Sequence, residues 1–579
     1  GGVERGLEAL LTEAMRLRKH GFIAPELARA KESYLAAMRK AYQERGEIES
    51  VSLAGEYTRN FLDDEVIPGI EYEYELARRY SPGITLNELD RMAEEIITEE
   101  NRVVLVKGPE KEGLEYPGEE RLTKVMTSVE DSEIAAYEED DTGDELFSKD
   151  VVPGTIVETV DHDEVGVTEL VLSNGVRVLL KPTDFKNEEI LMTAYSPGGT
   201  SLVDDGEYVS ASLATAVIGS SGVGDFSVTE LQRKLAGRQV SVSPYIGTLT
   251  EGFSGGSVPE DLEILFQLVH LYGTEPRRDR EAFDSLKARL RGILQNRRSQ
   301  PEALFQDRLQ VLTAQGHFRE RPFTQELLEE LDFETAHEVY TDRFSDFSDA
   351  VFIFAGNFSL LEMRDYCTRY LATLPGTGRE ESWSDPGVEF PGETVKDVVR
   401  AGIEEKGRVA IAYGGDFSWS MEREHVFESL LTLMDIRLRE VIREEASGTY
   451  GVRVGGGAGP YPDGEFRIVI SFGCDPDRAE ELTELVFTQL DDIRENLPSD
   501  LNMTKIKEMD RRSYEEALER NGFWLNSLEE ADFYDLPYTI IRSFPELVDS
   551  LSGGELREMA REVLTGPYVQ LTLMPEEEQ

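Results

Sequence analysis

Six histidines, His20, His162, His270, His317, His337 and His425, are spread over 579 residues, and no two stand four apart. No helix face can therefore present two imidazoles to one metal ion. Glu334/His337 and Glu422/His425 have the three-residue spacing of carboxylate-bridged di-iron bundles. Such a site needs two more helical glutamates in one bundle, whereas these pairs fall in separate units, so exposed helix charge is expected. Gly252-Phe253-Ser254-Gly255-Gly256 fits a nucleophile elbow, which requires its serine on a tight turn from a strand directly into a helix. The next helix starts only near Pro259, so Ser254 is expected in a strand where glycine permits close packing. Gly455, Gly456, Gly457 and Gly459 suggest a phosphate loop, but no Lys-Ser/Thr follows and a strand precedes Pro460, which reads as a bent hairpin. His162, among Asp161, Asp163 and Glu164, reads as a solvated charge cluster. Cys367 and Cys474 are too few for a disulfide framework or a thiolate metal site. Arg443 and Tyr450 bracket REEASGTY, where Gly448 can end a helix with a left-handed cap and send the chain back as a strand, aiming both side chains to one side. Taken alone, they read as a helix-end arginine paired with Glu444 or Glu445 and an ordinary strand tyrosine.

The elements that must position these residues alternate between strands and helices, which indicates an α+β class built of repeated sheet-plus-helix units. Residues 7–20 and 24–45 are predicted amphipathic helices, and 102–107 (RVVLVK) a strand. From Gly108 to Gly154 the chain turns to Glu, Asp, Ser and Gly and reads as a solvated linker. TELVLSNGVRVLLKP alternates about Asn174-Gly175, a strong hairpin signal. Strands are predicted near 188–195, 239–246, 249–256 and 350–355, with helices at 259–272 and 279–314. After a Pro/Gly/Ser-rich stretch at 375–393 come a strand at 407–414, a helix at 420–445, a hairpin at 450–473, helices to 563 and a strand at 567–573. The order of elements in 3–107 recurs in 477–575, an internal repeat. On that reading the opening domain lacks its first strands.

Five stretches in this order, LRKHGFIAPELARAK, LSNGVRVLLKP, YSPGGTSLVDD, FAGNFS and REEASGTYGVRV, make nearly the whole chain resemble the C-terminal part of a pitrilysin/insulinase-family (inverzincin) zinc metallopeptidase. The resemblance implies a clamshell of four similar α+β domains, the first holding zinc through H-x-x-E-H and a later Glu, with the inner Glu as general base. It divides this chain into 1–112 (the trailing part of the second family domain, incomplete), 113–155 (acidic linker), 156–385 (a third, degenerate domain) and 386–579 (a fourth). Ser212, Thr215 and Ala216 of ASLATAVIG stand where the zinc-binding His, Glu and His would be, so zinc belongs to the parent enzyme and none is expected on this chain. By the same resemblance Tyr450 is catalytic, donating to the oxyanion or a substrate carbonyl, and Arg443 and Tyr450 bind substrate. The implied function is the substrate-clamping half of a zinc metalloendopeptidase for unfolded or short peptides, inactive alone and partnered by the missing N-terminal half. The alternative is a non-catalytic scaffold or peptide-binding subunit of the same fold.

The formal charge is −55, and only 15 of the 60 basic residues are lysines. This acidic surface repels nucleic acid and anionic lipid, so neither is an expected partner. Acids spread through every segment suggest a halophilic protein, in which salt screens self-repulsion. No apolar run approaches the ~18 residues of a membrane span. A soluble protein is expected, cytoplasmic or periplasmic.

Overall fold

A computed structural model describes residues 2–98, 101–108, 115–139, 146–147, 151–297, 300–445 and 451–576, with side chains except those of 443–445. The chain forms two compact units, one of residues 1–148, 186–188 and 229–240, the other of the remainder.

The first unit opens with α1 (Gly2–His20), α2 (Ala24–Gln43), α3 (Ser50–Asp63), α4 (Ile70–Tyr80), α5 (Leu86–Ile96) and α6 (Glu119–Glu130). Helix α6 corrects the expectation that 108–154 is all solvated linker. Its Leu122, Val125, Met126 and Val129 recur at helical spacing and turn inward, and Arg121 pairs with Glu4 of α1. Glu139, expected in open solvent, takes a two-pronged ion pair from Arg29 at 2.7 and 2.8 Å. The strand expected at 102–107 is also corrected: these residues are irregular, and Val103 and Leu105 are exposed. The described residues of 2–147 contain no strand, and an apolar run without a partner cannot form a ladder.

The chain continues through β1 (Ile156–His162), β2 (Val167–Leu172), β3 (Arg177–Pro182), β4 (Ile190–Pro197), α7 (Tyr208–Ser212), α8 (Ala214–Ser221), α9 (Val228–Lys234), β5 (Val240–Ile246) and β6 (Thr250–Ser257). Then come α10 (Leu262–Thr274), α11 (Arg280–Arg297), α12 (Pro301–Thr313), α13 (Gln325–Leu328), α14 (Phe333–Arg343), β7 (Val351–Gly356) and α15 (Leu360–Arg369). The single helix expected at 279–314 is two. Pro301, which lacks an N–H, opens the second. The β2–β3 turn needs Gly175, whose φ is +98° and whose missing Cβ leaves room for the Ser348 backbone.

The last stretch holds β8 (Val395–Arg400), β9 (Gly407–Asp416), α16 (Met421–Glu445), β10 (Val452–Gly459), β11 (Glu465–Cys474), α17 (Ala479–Glu495), α18 (Asp500–Ala517), α19 (Asn521–Phe533), α20 (Phe544–Ser550), α21 (Gly553–Val563) and β12 (Tyr568–Met574). The sheet orders are β1-β2-β3-β7-β4-β6-β5 and β10-β11-β9-β12-β8. Read from β3 and from β8, the two have one order. In each, the closing strand lies parallel to the first and antiparallel to the second. The duplication is thus a shared topology, with β1–β2 added to one copy.

The two sheets exchange a helix. Strand β9 alternates Val409, Ile411 and Tyr413 toward α16, α17 and α21 with Ala410 and Ala412 toward Phe305 and Leu309 of α12, which lies in sequence between β6 and β7 of the first sheet. In return, Trp524, Leu525 and Leu528 of α19 cover Leu179, Val351 and Ile353 of the first sheet.

Candidate functional site

Helix α16 buries Phe427, Leu430, Met434, Leu438 and Ile442 on one stripe. Ile442 is 1% exposed and Val452, the first residue of β10, is 5% exposed, and both join one core cluster. The last turn of α16 and the first residue of β10 are thus both held by packing. Arg443 sits next to Ile442 in the helix backbone, but its side chain lies outside the described residues, as does Tyr450 altogether.

Strand β10 is the outermost strand of its sheet, paired on one side with β11 from Val452↔Phe472 to Gly459↔Glu465. This is the hairpin expected of Gly455, Gly456, Gly457 and Gly459. A Cβ on Gly455 or Gly457 would meet nothing within 4 Å, whereas one on Gly456 would strike the Arg467 carbonyl. The strand therefore presents backbone with almost no side chain in the way, a form that an added extended peptide can pair with.

In the segment that the resemblance aligns with a metal helix, Leu213 breaks ASLATAVIG into α7 and α8. The Ser212 hydroxyl donates to the Val209 carbonyl, and neither Thr215 nor Ala216 offers a zinc-ligating group. Among the described residues no group of three or more His, Cys, Asp or Glu is arranged to hold a metal ion. The residues at this position do not fit zinc.

Ser254 lies in β6 opposite Thr193 of β4 and no helix follows directly, so it is a strand residue. Gly252 and Gly255 let neighbouring strands approach: a Cβ on either would strike the Ala194 or Ser241 carbonyl. The acid–histidine pairs are not wholly exposed charge. Glu334 pairs with Arg278 at the surface, but His337 and His425 are buried, and burial first of all lowers both imidazole pKa values. The three-residue spacing turns each histidine inward while the preceding glutamate faces water.

His162 is likewise no isolated solvated cluster. Its Nε2 lies 2.9 Å from Glu169 Oε2, and Glu169 accepts from Arg177 at 2.8 Å. Arg177 binds both oxygens of Asp532, which also accept from Tyr195 and Tyr538. Burial works against the Arg177 charge, and the two carboxylates more than restore it; burial and Asp532 hold both tyrosine hydroxyls protonated. This network borders a cavity of about 770 Å³. Glu169 and Asp532 each serve a cation or hydroxyl, so the arrangement clamps α19 to the sheet. Sequence gave no signal of it, because Asp532 lies 355 residues from Arg177.

Residues 330–509 match the family model described as the peptidase M16 inactive domain. A zinc protease PQQL-like protein of Arabidopsis thaliana is 26% identical over 529 residues, covering 89% of this chain and 53% of that protein. The chain spans about half the length of the curated relatives it matches. The periplasmic protease PqqL from Escherichia coli superposes with a TM-score of 0.68 at 19% identity, over 98% of this chain and 63% of that one. A mutant of the ferredoxin protease FusC, in complex with Arabidopsis ferredoxin, gives 0.71 at 16% identity, over 100% and 64%. These likenesses show the fold, and the family match supports the M16 peptidases. No helix of the described residues is long and apolar enough to cross a membrane.

Proposed function

We infer that this chain belongs to the M16 peptidase family and acts as the half of a zinc endopeptidase that clamps substrate and contributes no metal. The observation that carries the reading is one sheet order used twice, with Ser212, Thr215 and Ala216 standing in one copy where the resemblance puts the zinc ligands. The zinc and its general base then reside in a partner half of the same protein. Exposed Phe61 and Leu62 of α3, with Val103 and Leu105, support a first unit that is covered by that half.

In this reading an extended peptide lies near the open β10 edge. Tyr450, two residues ahead of that strand in sequence, donates to the developing oxyanion, and Arg443, in the last turn of α16, binds the substrate backbone. Peptide substrates and the partner half follow from the same assignment.

The test compares this chain with a longer protein that includes the preceding half, using a quenched fluorescent peptide and metal analysis. The longer protein should bind zinc and cleave, and this chain alone should do neither. Zinc-dependent cleavage by this chain alone would overturn the reading.

A further inference from the structure

Between α16, α18, α19 and α20 lies a cavity of about 440 Å³, inside the ~300–1,000 Å³ range of small-ligand sites. One wall is acidic: Glu424 and Asp510 line the interior, and Glu428 and Glu530, more exposed, stand toward solvent. The opposite wall is apolar and aromatic, with Tyr514 stacked on Phe544 at 5.1 Å. His425, 6% exposed, lies between the walls with its ring edge-on to Phe544.

Two buried polar atoms here have no hydrogen-bond partner, His425 Nε2 and Asp510 Oδ2. They stand 3.9 Å apart, too far to bond each other. Leaving such atoms unpaired is costly, so a built interior with two of them invites a donor. One nitrogen at ordinary hydrogen-bond length from both would see them at roughly 90°, about 20–30° inside the H–N–H angle of an ammonium or guanidinium, a bend that two N–H···acceptor bonds share within the tolerated range.

The charge balance points the same way. No lysine or arginine among the described residues forms a hydrogen bond or ion pair with Glu424, Glu428, Asp510 or Glu530. Glu424 has only the Trp419 indole N–H, at 3.0 Å. Lys507, whose charge is felt at His425, donates instead to the Asp549 carbonyl at 2.9 Å. Elsewhere the partly buried acids Glu139, Glu169 and Asp532 each have an arginine. A bare metal ion fits poorly, since these side chains are not grouped as a ligand set. Water can bridge the two orphaned atoms but brings no charge to the acids and makes no use of the aromatic wall.

We propose that this cavity binds an organic cation, an ammonium or guanidinium on an alkyl or aromatic body, such as a lysine or arginine side chain presents. The charged head sits between Asp510, Glu424 and His425, and the body lies against Tyr514 and Phe544, where ring faces also favour a cation. The assignment does not depend on the peptidase reading.

The test is calorimetry and thermal shift on the chain as it stands, at constant ionic strength, with butylguanidinium and its neutral isostere butylurea. Butylguanidinium should bind at least about tenfold more tightly, the size expected of charge-assisted hydrogen bonds. D510N and E424Q, which keep shape, should each abolish most of that preference. A pentapeptide with a central arginine identifies the source: binding as tight as butylguanidinium marks a peptide side chain, and much weaker binding marks a free amine. Equal binding of the urea, no binding of either compound at millimolar concentration, displacement by an equal concentration of potassium, or a preference that survives both substitutions would overturn the proposal. The comparison on the unsubstituted chain holds even if a variant fails to fold.

Discussion

Arg177 of β3 holds Asp532 of α19 by two hydrogen bonds, Nη1 to Oδ2 at 3.1 Å and Nη2 to Oδ1 at 2.8 Å. The Asp532 side chain is 6% exposed and also accepts from Tyr195 and Tyr538. Asp532→Ala leaves two hydroxyls without their acceptor and the Arg177 guanidinium with Glu169 alone, so it should cost about 3 kcal/mol, toward the lower end of the penalty for breaking a buried pair from one side. Asp532→Asn keeps the volume and one acceptor and should cost less. Urea denaturation of the two variants checks the order.

The exchanged helix gives a second prediction. Phe305 is fully buried, and it belongs to α12 yet fills the core of the second sheet. Phe305→Ala should destabilise by about 3–5 kcal/mol. It should lower the melting of both sheets together, because α12 and α19 tie each sheet to the other's sequence. Hydrogen exchange that loosens only β8–β12 would contradict this coupling.

These two residues mark where sequence reading stops. Asn174-Gly175 was legible because a tight hairpin has a local chemical signature, and the long α16 because its apolar stripe recurs over 25 residues. Strand β8 was not legible: VKDVVR is half polar, lies at a sheet edge and follows a Pro/Gly-rich stretch. RVVLVK misled for the opposite reason, since it has strand composition but no ladder partner among the described residues. The inward turn of His425 and the reach of Arg177 depend on residues far along the chain, which no local pattern encodes. The repeat expected between 3–107 and 477–575 loses its closing strand, since 102–107 is irregular; the duplication that the strand pairings show joins β3–β7 and β8–β12 instead.

Stability should depend on pH through the buried acids. Burial raises Glu251 to about 8, against the pull of Arg343, and raises Glu424 to about 7, with Glu530 and Glu428 adding repulsion. A raised carboxylate favours the folded state fully below its unfolded pKa, and that contribution is lost as pH rises through the folded value. Melting temperature should therefore rise as pH falls from about 8 to about 6.5. Below about 6.5, His337 and His425 act in reverse, because their lowered pKa values make the unfolded chain bind protons first. Glu424→Gln should flatten the slope above pH 6.5, and an unchanged slope would remove Glu424 as a cause.

The charge of −55 predicts a response to salt. Repulsion among exposed acids is screened as ionic strength rises, so melting temperature should climb in potassium chloride well beyond physiological levels. A flat or falling curve would leave the acidic composition without a halophilic explanation.

The last prediction concerns Arg443 and Tyr450 in the longer protein that includes the zinc-bearing half, where the site is complete only when the halves close. Ile442 and Val452, which flank the pair in sequence, are core residues, so conservative changes at Arg443 and Tyr450 should leave the core intact. Tyr450→Phe keeps the ring and removes one oxyanion-directed donor, which should lower kcat on the order of a hundredfold while stability hardly moves. Arg443→Lys keeps the charge but loses the planar fork, so it should raise KM more than a like-for-like charge would suggest. Zinc content should not change in either variant, because neither residue is a ligand. Kinetics on a quenched fluorescent peptide, with metal analysis and melting curves alongside, separates the outcomes. A fall in kcat with unchanged zinc and melting places Tyr450 at the reacting carbonyl, whereas unaltered kcat and KM in both variants would make the pair an ordinary helix end and strand start.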